Sequence, residues 1–214
     1  CLLFLLFLKL RSKSHSLLIN KLASDEGTKE NHAKDSNDVT DTATLGRFKR
    51  YASLGIFILT VQIALGGWTS ANYAALSCVE LPVCQGDWQN QLHFSKAFTL
   101  LPPPKDSYEY GHLPHNERLT IHVTHRLGAV ITTLYLAWLA LMLFRRLPTP
   151  DLKKSTTLVI LLLAVQVGLG ISNIWYQIPL NIAVAHNLVA ALLMLSLISL
   201  TYQLSQNTRG LSHE

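Results

Sequence analysis

The chain has 214 residues, of which 49% are hydrophobic and only 14% charged. So few charges, gathered between long apolar runs, exclude an ordinary soluble domain. The formal net charge of +5 flanks those runs, so the positive residues read as membrane-edge anchors and no nucleic-acid partner is expected.

The first segment, CLLFLLFLKL (1–10), is too short to cross a bilayer alone. Its basic residues follow the apolar run, whereas a signal peptide carries them in front and a small-residue cleavage site behind. The segment therefore reads as the remnant of a preceding transmembrane helix, and the chain as a C-terminal fragment of a longer protein. Residues 11–46 read as a cytoplasmic linker, because 12–44 is polar, rich in Ser and Asn, and has little apolar periodicity. Arg47, Lys49 and Arg50 then hold the next helix at the inner surface.

Four apolar runs follow, each long enough to span: about 51–68, 120–144, 156–176 and 182–202. They predict an all-α membrane protein, with a four-transmembrane-helix bundle over 47–205 and a short cytoplasmic tail at 206–214. Charge sets the orientation. Residues 9–50 carry nine Lys/Arg, and the loop 145–154 carries four against one Asp. The loop 69–119 carries three Lys/Arg against five acids. Positive loops stay inside, so 69–119 and the short turn near 175–181 face outward.

The bundle is built from a repeated helix pair. VQIALG (61–66), near the end of the first complete span, returns as VQVGLG (165–170), near the end of the third. Each copy precedes a helix that carries a histidine, and parallel repeats of this kind are a known membrane architecture. The glycines Gly66, Gly67, Gly168 and Gly170 permit close approach, either of a neighbouring helix or of a flat macrocycle. Gln62 and Gln166 are polar groups within spans, suited to hydrogen bonds between helices or to a cofactor contact.

The outer loop holds Cys78 and Cys84 in ALSCVELPVCQG. A C-x5-C pair can ligate metal or form a disulfide. No second pair accompanies it, and an oxidising exterior favours the disulfide. Such a bridge would tighten the entrance above the histidines. Residues 85–117 are aromatic, carry Pro102, Pro103 and Pro104, and suggest an amphipathic surface segment. His93, His112 and His115 in this loop read as solvated rather than as a second metal site. Trp68, Tyr73, Trp175 and Tyr176 fit an outer aromatic belt.

His125 and His186 are the main functional candidates. Each falls about five residues past the polar edge of its run, hence about 8 Å below the same face at 1.5 Å per residue. Ionisable residues inside spans mark function by default. Two imidazoles at one depth, on helices of one direction, suit axial ligation of a haem iron; the alternative is polar contact between helices. Arg126 could pair with a haem propionate or join a polar interhelical network. His122, one turn before His125, suits an alternate ligand, a proton carrier or a hydrogen-bond partner at the haem edge.

The strings LGGWTSANYAALSCVELPVCQGDW, IHVTHRLGA and VAHNLVAALL together resemble the C-terminal half of the haem A synthases, over about 45–204. The resemblance implies an eight-span protein of two four-helix bundles. The second bundle carries an outer-loop cysteine pair, matched by Cys78 and Cys84, a His-Arg, matched by His125 and Arg126, and a histidine on its last helix, matched by His186. It implies that this bundle holds haem b, with His125 and His186 as iron ligands. It further implies an oxidoreductase that converts the C8 methyl of haem O to the formyl of haem A, with oxygen from water, in cytochrome oxidase assembly.

The family's first bundle has a Glu three residues before its own His-Arg. Here that position is His122, so the catalytic carboxylate is expected outside this chain, together with the haem O/haem A substrate site. Haem O synthase, oxidase-assembly proteins and membrane lipid are the implied partners. The expected location is an inner membrane, bacterial (plasma) ahead of mitochondrial, with the Cys loop outside. Two other readings compete: a non-catalytic b-type cytochrome passing electrons to quinone, and a cofactor-free helix bundle serving assembly.

Overall fold

The computed structural model describes residues 4, 8, 37–99, 111–146 and 150–210. The expected helix remnant at 1–10 apart from residues 4 and 8, most of the linker, the Pro102–Pro104 run and the last four residues of the tail lie outside the described residues. Among the described residues there are four long helices: α1 (Asn37–Ala71), α2 (His115–Arg146), α3 (Pro150–Trp175) and α4 (Leu180–Gly210). Their apolar stretches run for 26 to 32 residues. At 1.5 Å per residue each exceeds the ~30 Å hydrocarbon thickness of a bilayer. The chain is thus an all-helical integral membrane protein. Residues 37–46, read above as linker, already belong to α1. The bundle gives that stretch a face to cover, since Leu45 and Phe48 are buried in its core.

Proline sets three helix starts. α3 begins at Pro150, while α2 and α4 begin immediately after Pro114 and Pro179. A proline in the first turn costs no hydrogen bond and is pre-set to the helical φ. Threonines are tolerated in the spans where the hydroxyl donates to the carbonyl four residues back, as in Thr60 to Ile56, Thr124 to Thr120, Thr132 to Gly128 and Thr156 to Leu152. Those hydroxyls are then satisfied without water.

The helices form a four-cornered ring. α1 packs on α2 and α4, and α3 packs on the same two. The helices that carry the histidines, α2 and α4, occupy opposite corners and do not pack on each other. The interior is divided by level. At the end holding the α2–α3 connection it is filled by Leu45, Phe48, Ala52 and Leu59 of α1, Leu136, Leu139 and Leu143 of α2, Leu152, Val159 and Leu163 of α3, and Leu193, Leu197, Leu200 and Leu204 of α4. Beyond that plug, no residue is buried over 60–68, 124–131, 164–175 or 180–192. The bundle is closed by this plug at one end, and at the level of the histidines none of its residues is fully buried.

The repeat extends past its motif into the helix ends. α1 closes with Ala74 N–H to Thr69 O (2.9 Å) and Tyr73 N–H to Ser70 O (3.3 Å). α3 closes with Ile178 N–H to Asn173 O (2.8 Å) and Gln177 N–H to Ile174 O (3.3 Å). Both pairs are the paired bonds of a Schellman cap, with Tyr73 (φ 52°) left-handed in one and Gln177 (φ 56°), followed by Ile178 (φ 62°), in the other. The offset between the caps equals that between Gln62 and Gln166. In the described part of the outer loop, the expected surface segment is a 3-10 turn (Gln89–Gln91) and a single helical turn (Phe94–Ala97). They are held inward by Trp68 Nε1–H to Ala97 O (3.0 Å) and His93 N–H to Thr120 Oγ1 (2.8 Å).

Candidate functional site

His125 and His186 project from opposite corners of the ring, beyond the leucine plug. Each is half-buried. Each is set by the same two groups of the preceding helix. The Gln62 amide donates to His125 Nδ1 (3.1 Å) and to the His125 carbonyl oxygen (3.0 Å). The Gln166 amide nitrogen lies 3.2 Å from His186 Nε2. One turn beyond each glutamine, a glycine meets the ring edge. A Cβ on Gly66 would stand 3.1 Å from His125 Cε1, and a Cβ on Gly170 would stand 3.3 Å from His186 Cε1. The repeated Val-Gln-x-x-Leu-Gly motif is therefore an imidazole seat, used twice.

The two seats are not identical. Gln62 also fills the space where a Cβ on Gly128 would sit. The second histidine helix has Val189 at the corresponding position, HRLG becoming HNLV. Gly128 was not legible as a site residue, although its place three residues after His125 put it on the face turned to α1.

Arg126 points to the outer loop. Its guanidinium donates to Cys78 O (2.8 Å), Glu80 O (2.9 Å) and Cys78 Sγ (2.9 Å). These bonds go to the outer loop rather than to another helix. Nε of Arg126 is buried with no partner. Cys78 and Cys84 are joined by a disulfide with an S–S distance of 2.01 Å. A guanidinium fork reaches two carbonyls at once, which an ammonium does not, so Arg126 fixes the bridged loop over the end of α2.

His122 is buried, and its Nδ1–H donates to Ala74 O (2.9 Å), just past the α1 cap. Together His122 and Arg126 clamp both ends of the 74–80 strap. Elsewhere in the loop, His93 Nδ1 lies 3.6 Å from the buried carboxylate of Glu117. Among the described residues, no group of three or more His, Cys, Asp and Glu gathers as a metal site. The fit to a bis-histidine haem rests on other observations. At the level of both rings no residue of the four helices is fully buried, the rings come from non-adjacent corners, and Nδ1 of His186, packed beside Gly170, has no partner. The residues present suit a flat macrocycle held by one imidazole on each side.

Known proteins extend this reading. The chain is 46% identical over 151 residues to a protein named heme A synthase from Shewanella oneidensis, a match covering 71% of this chain and 45% of that one. It is 27% identical over 154 residues to a heme A synthase of Mesorhizobium japonicum, covering 72% and 38%. It is 26% identical over 149 residues to one of Chelativorans sp., covering 68% and 37%. The chain thus spans less than half the length of these curated relatives. No solved structure matches it. The profile of the COX15-CtaA family, described as cytochrome oxidase assembly protein, matches residues 14–198, which takes in both histidine seats and the bridged loop. On that match the chain belongs to the COX15-CtaA family.

Proposed function

We propose that this chain is the haem-binding, electron-relaying bundle of a haem A synthase-type oxidoreductase. Its b-type haem is held between His125 and His186. The observation that carries the reading is the doubled seat: two half-buried imidazoles on opposite corners, each with a Gln and a Gly at matching repeat positions, at a level where no residue is fully buried. The family and its named relatives support a place in haem A biosynthesis.

A haem held by His125 and His186 would supply one-electron transfer. The chain's residues do the rest. His125 and His186 bind, the glutamines orient the rings, and the plug of leucines below closes the interior. His122 and Arg126 hold the Cys78–Cys84 loop as a cover, proposed to face the outer side of a bacterial inner membrane. An unpaired Arg126 Nε beside that cover suits a haem propionate. Oxidation of the C8 methyl of haem O to formyl is assigned to a second bundle, because His122 stands where the family's catalytic carboxylate would be and is committed to Ala74 O. Haem O synthase or oxidase-assembly proteins are its proposed partners.

Absorption and EPR spectra of the purified protein test the ligands. The unmutated protein is expected to show a low-spin, six-coordinate haem, and His125→Ala and His186→Ala are each expected to lose it. Full low-spin haem in both variants would overturn the assignment. Complementation of a strain lacking haem A synthase by the full-length protein separates the enzyme from a quinone-linked cytochrome, which would leave haem A absent.

A further inference from the structure

We infer that Gln62 and Gln166 are paired positioning residues, each setting the orientation and proton placement of one imidazole. This rests on the haem reading above and deepens it. A neutral imidazole that coordinates through one nitrogen carries its proton on the other, and that N–H needs an acceptor. A glutamine amide carries donor and acceptor on one rotatable group. In both seats the amide touches a ring nitrogen, and in both its Oε1 is buried with no partner. An acceptor is thus held in reserve beside each histidine. A half-turn of the amide about its last side-chain bond presents Oε1 to the ring in place of Nε2, at Gln62 in exchange for its bond to the His125 carbonyl.

The repeat argues that this is a built feature. The two glutamines stand at equivalent positions, each four residues before the glycine that admits the ring. Two unrelated interhelical hydrogen bonds would have no reason to share both the amide and the glycine. The seats also differ in grip. Gln62 has a second bond to the His125 carbonyl and a pocket left by Gly128, whereas Gln166 has the single ring contact. Changes at Gln62 should therefore move the site more than changes at Gln166.

Potentiometric titration and EPR of the haem-loaded protein test the inference, with Gln→Glu and Gln→Leu at each position. A carboxylate only accepts, so it makes the imidazole a stronger donor to iron and favours the oxidised form. Gln62→Glu and Gln166→Glu are expected to lower the midpoint potential. Gln62→Leu and Gln166→Leu remove the acceptor and are expected to raise it, with altered low-spin g values. Thr60→Val, exposed on the same helix, is the control and is expected to titrate with the unmutated protein. Where Glu or Leu prevents loading, Gln→Asn keeps the amide but shortens its reach, and is expected to raise the potential. Variants that retain haem at the unmutated potential, or Glu and Leu shifts of the same sign, overturn this inference alone. An unmutated protein without low-spin haem overturns the function and this inference together.

Discussion

Gly66 and Gly67 are neighbours on α1 but meet different surroundings. A Cβ at Gly66 presses on His125 Cε1 at 3.1 Å, while a Cβ at Gly67 meets nothing within 4 Å. Gly66→Ala must push the imidazole aside, and overpacking of this kind costs about 1–3 kcal/mol. With about 1.4 kcal/mol per tenfold in a binding constant, haem affinity should fall roughly 5- to 100-fold. Gly67→Ala keeps the seat intact and should stabilise the helix by about 0.5–1 kcal/mol through backbone entropy. Haem retention during dilution, read from the Soret band, checks the pair; equal retention in both variants would count against the seat. The histidines and the two repeat glycines could be picked from the sequence because spacing and repetition mark them. The partners of Arg126 and His122 could not. They are backbone carbonyls 46 to 48 residues away, and a carbonyl leaves no trace in residue identity.

The helix ends carry strain at defined points. Tyr73 and Gln177 occupy the left-handed position that glycine usually takes at a Schellman cap. A side chain there costs roughly 1–2 kcal/mol. Gln177→Gly relieves that cost but adds about 0.5–1 kcal/mol of backbone entropy. A net gain of up to about 1 kcal/mol is expected, seen as a higher midpoint in thermal unfolding of the detergent-solubilised protein, with an unchanged haem spectrum. A drop in stability would mean that the side chain of Gln177 contributes something the cap geometry does not reveal. Hydropathy located all four spans, because length and apolarity are properties of a segment. Their starts were harder to place. Charge and polarity at 37–46 suggested linker, yet burial of Leu45 and Phe48 shows that α1 already faces the core there. A polar helix turn and a polar linker look alike until a neighbour is known.

Which helices touch was legible only through the repeat. Two copies of a helix pair predict a twofold arrangement, but the opposite-corner placement of α2 and α4 is set by packing and by connections of very different length. That ring, filled by leucines at one end and with no fully buried residue at the level of the histidines, predicts how the protein responds to loss of the proposed haem. A group bound at a hundred times its dissociation constant stabilises the folded form by about 2.7 kcal/mol, and that support falls on the segments in contact with it. Residues 60–68, 124–131, 164–175 and 180–192 have no buried side chain of their own to replace it. The opposite end keeps its interlocked leucines whether or not haem is present. Hydrogen exchange of the detergent-solubilised protein before and after haem extraction should therefore divide along the helices. Amides of those four segments are expected to exchange up to about 100-fold faster, following the same 2.7 kcal/mol. Amides around Ala52, Leu139, Val159 and Leu197 are expected to change little. Uniform acceleration along all four helices would mean that the bundle opens as one unit and that the leucine plug is not an independent floor. Unchanged exchange everywhere would mean that haem does not occupy the level of the histidines at all.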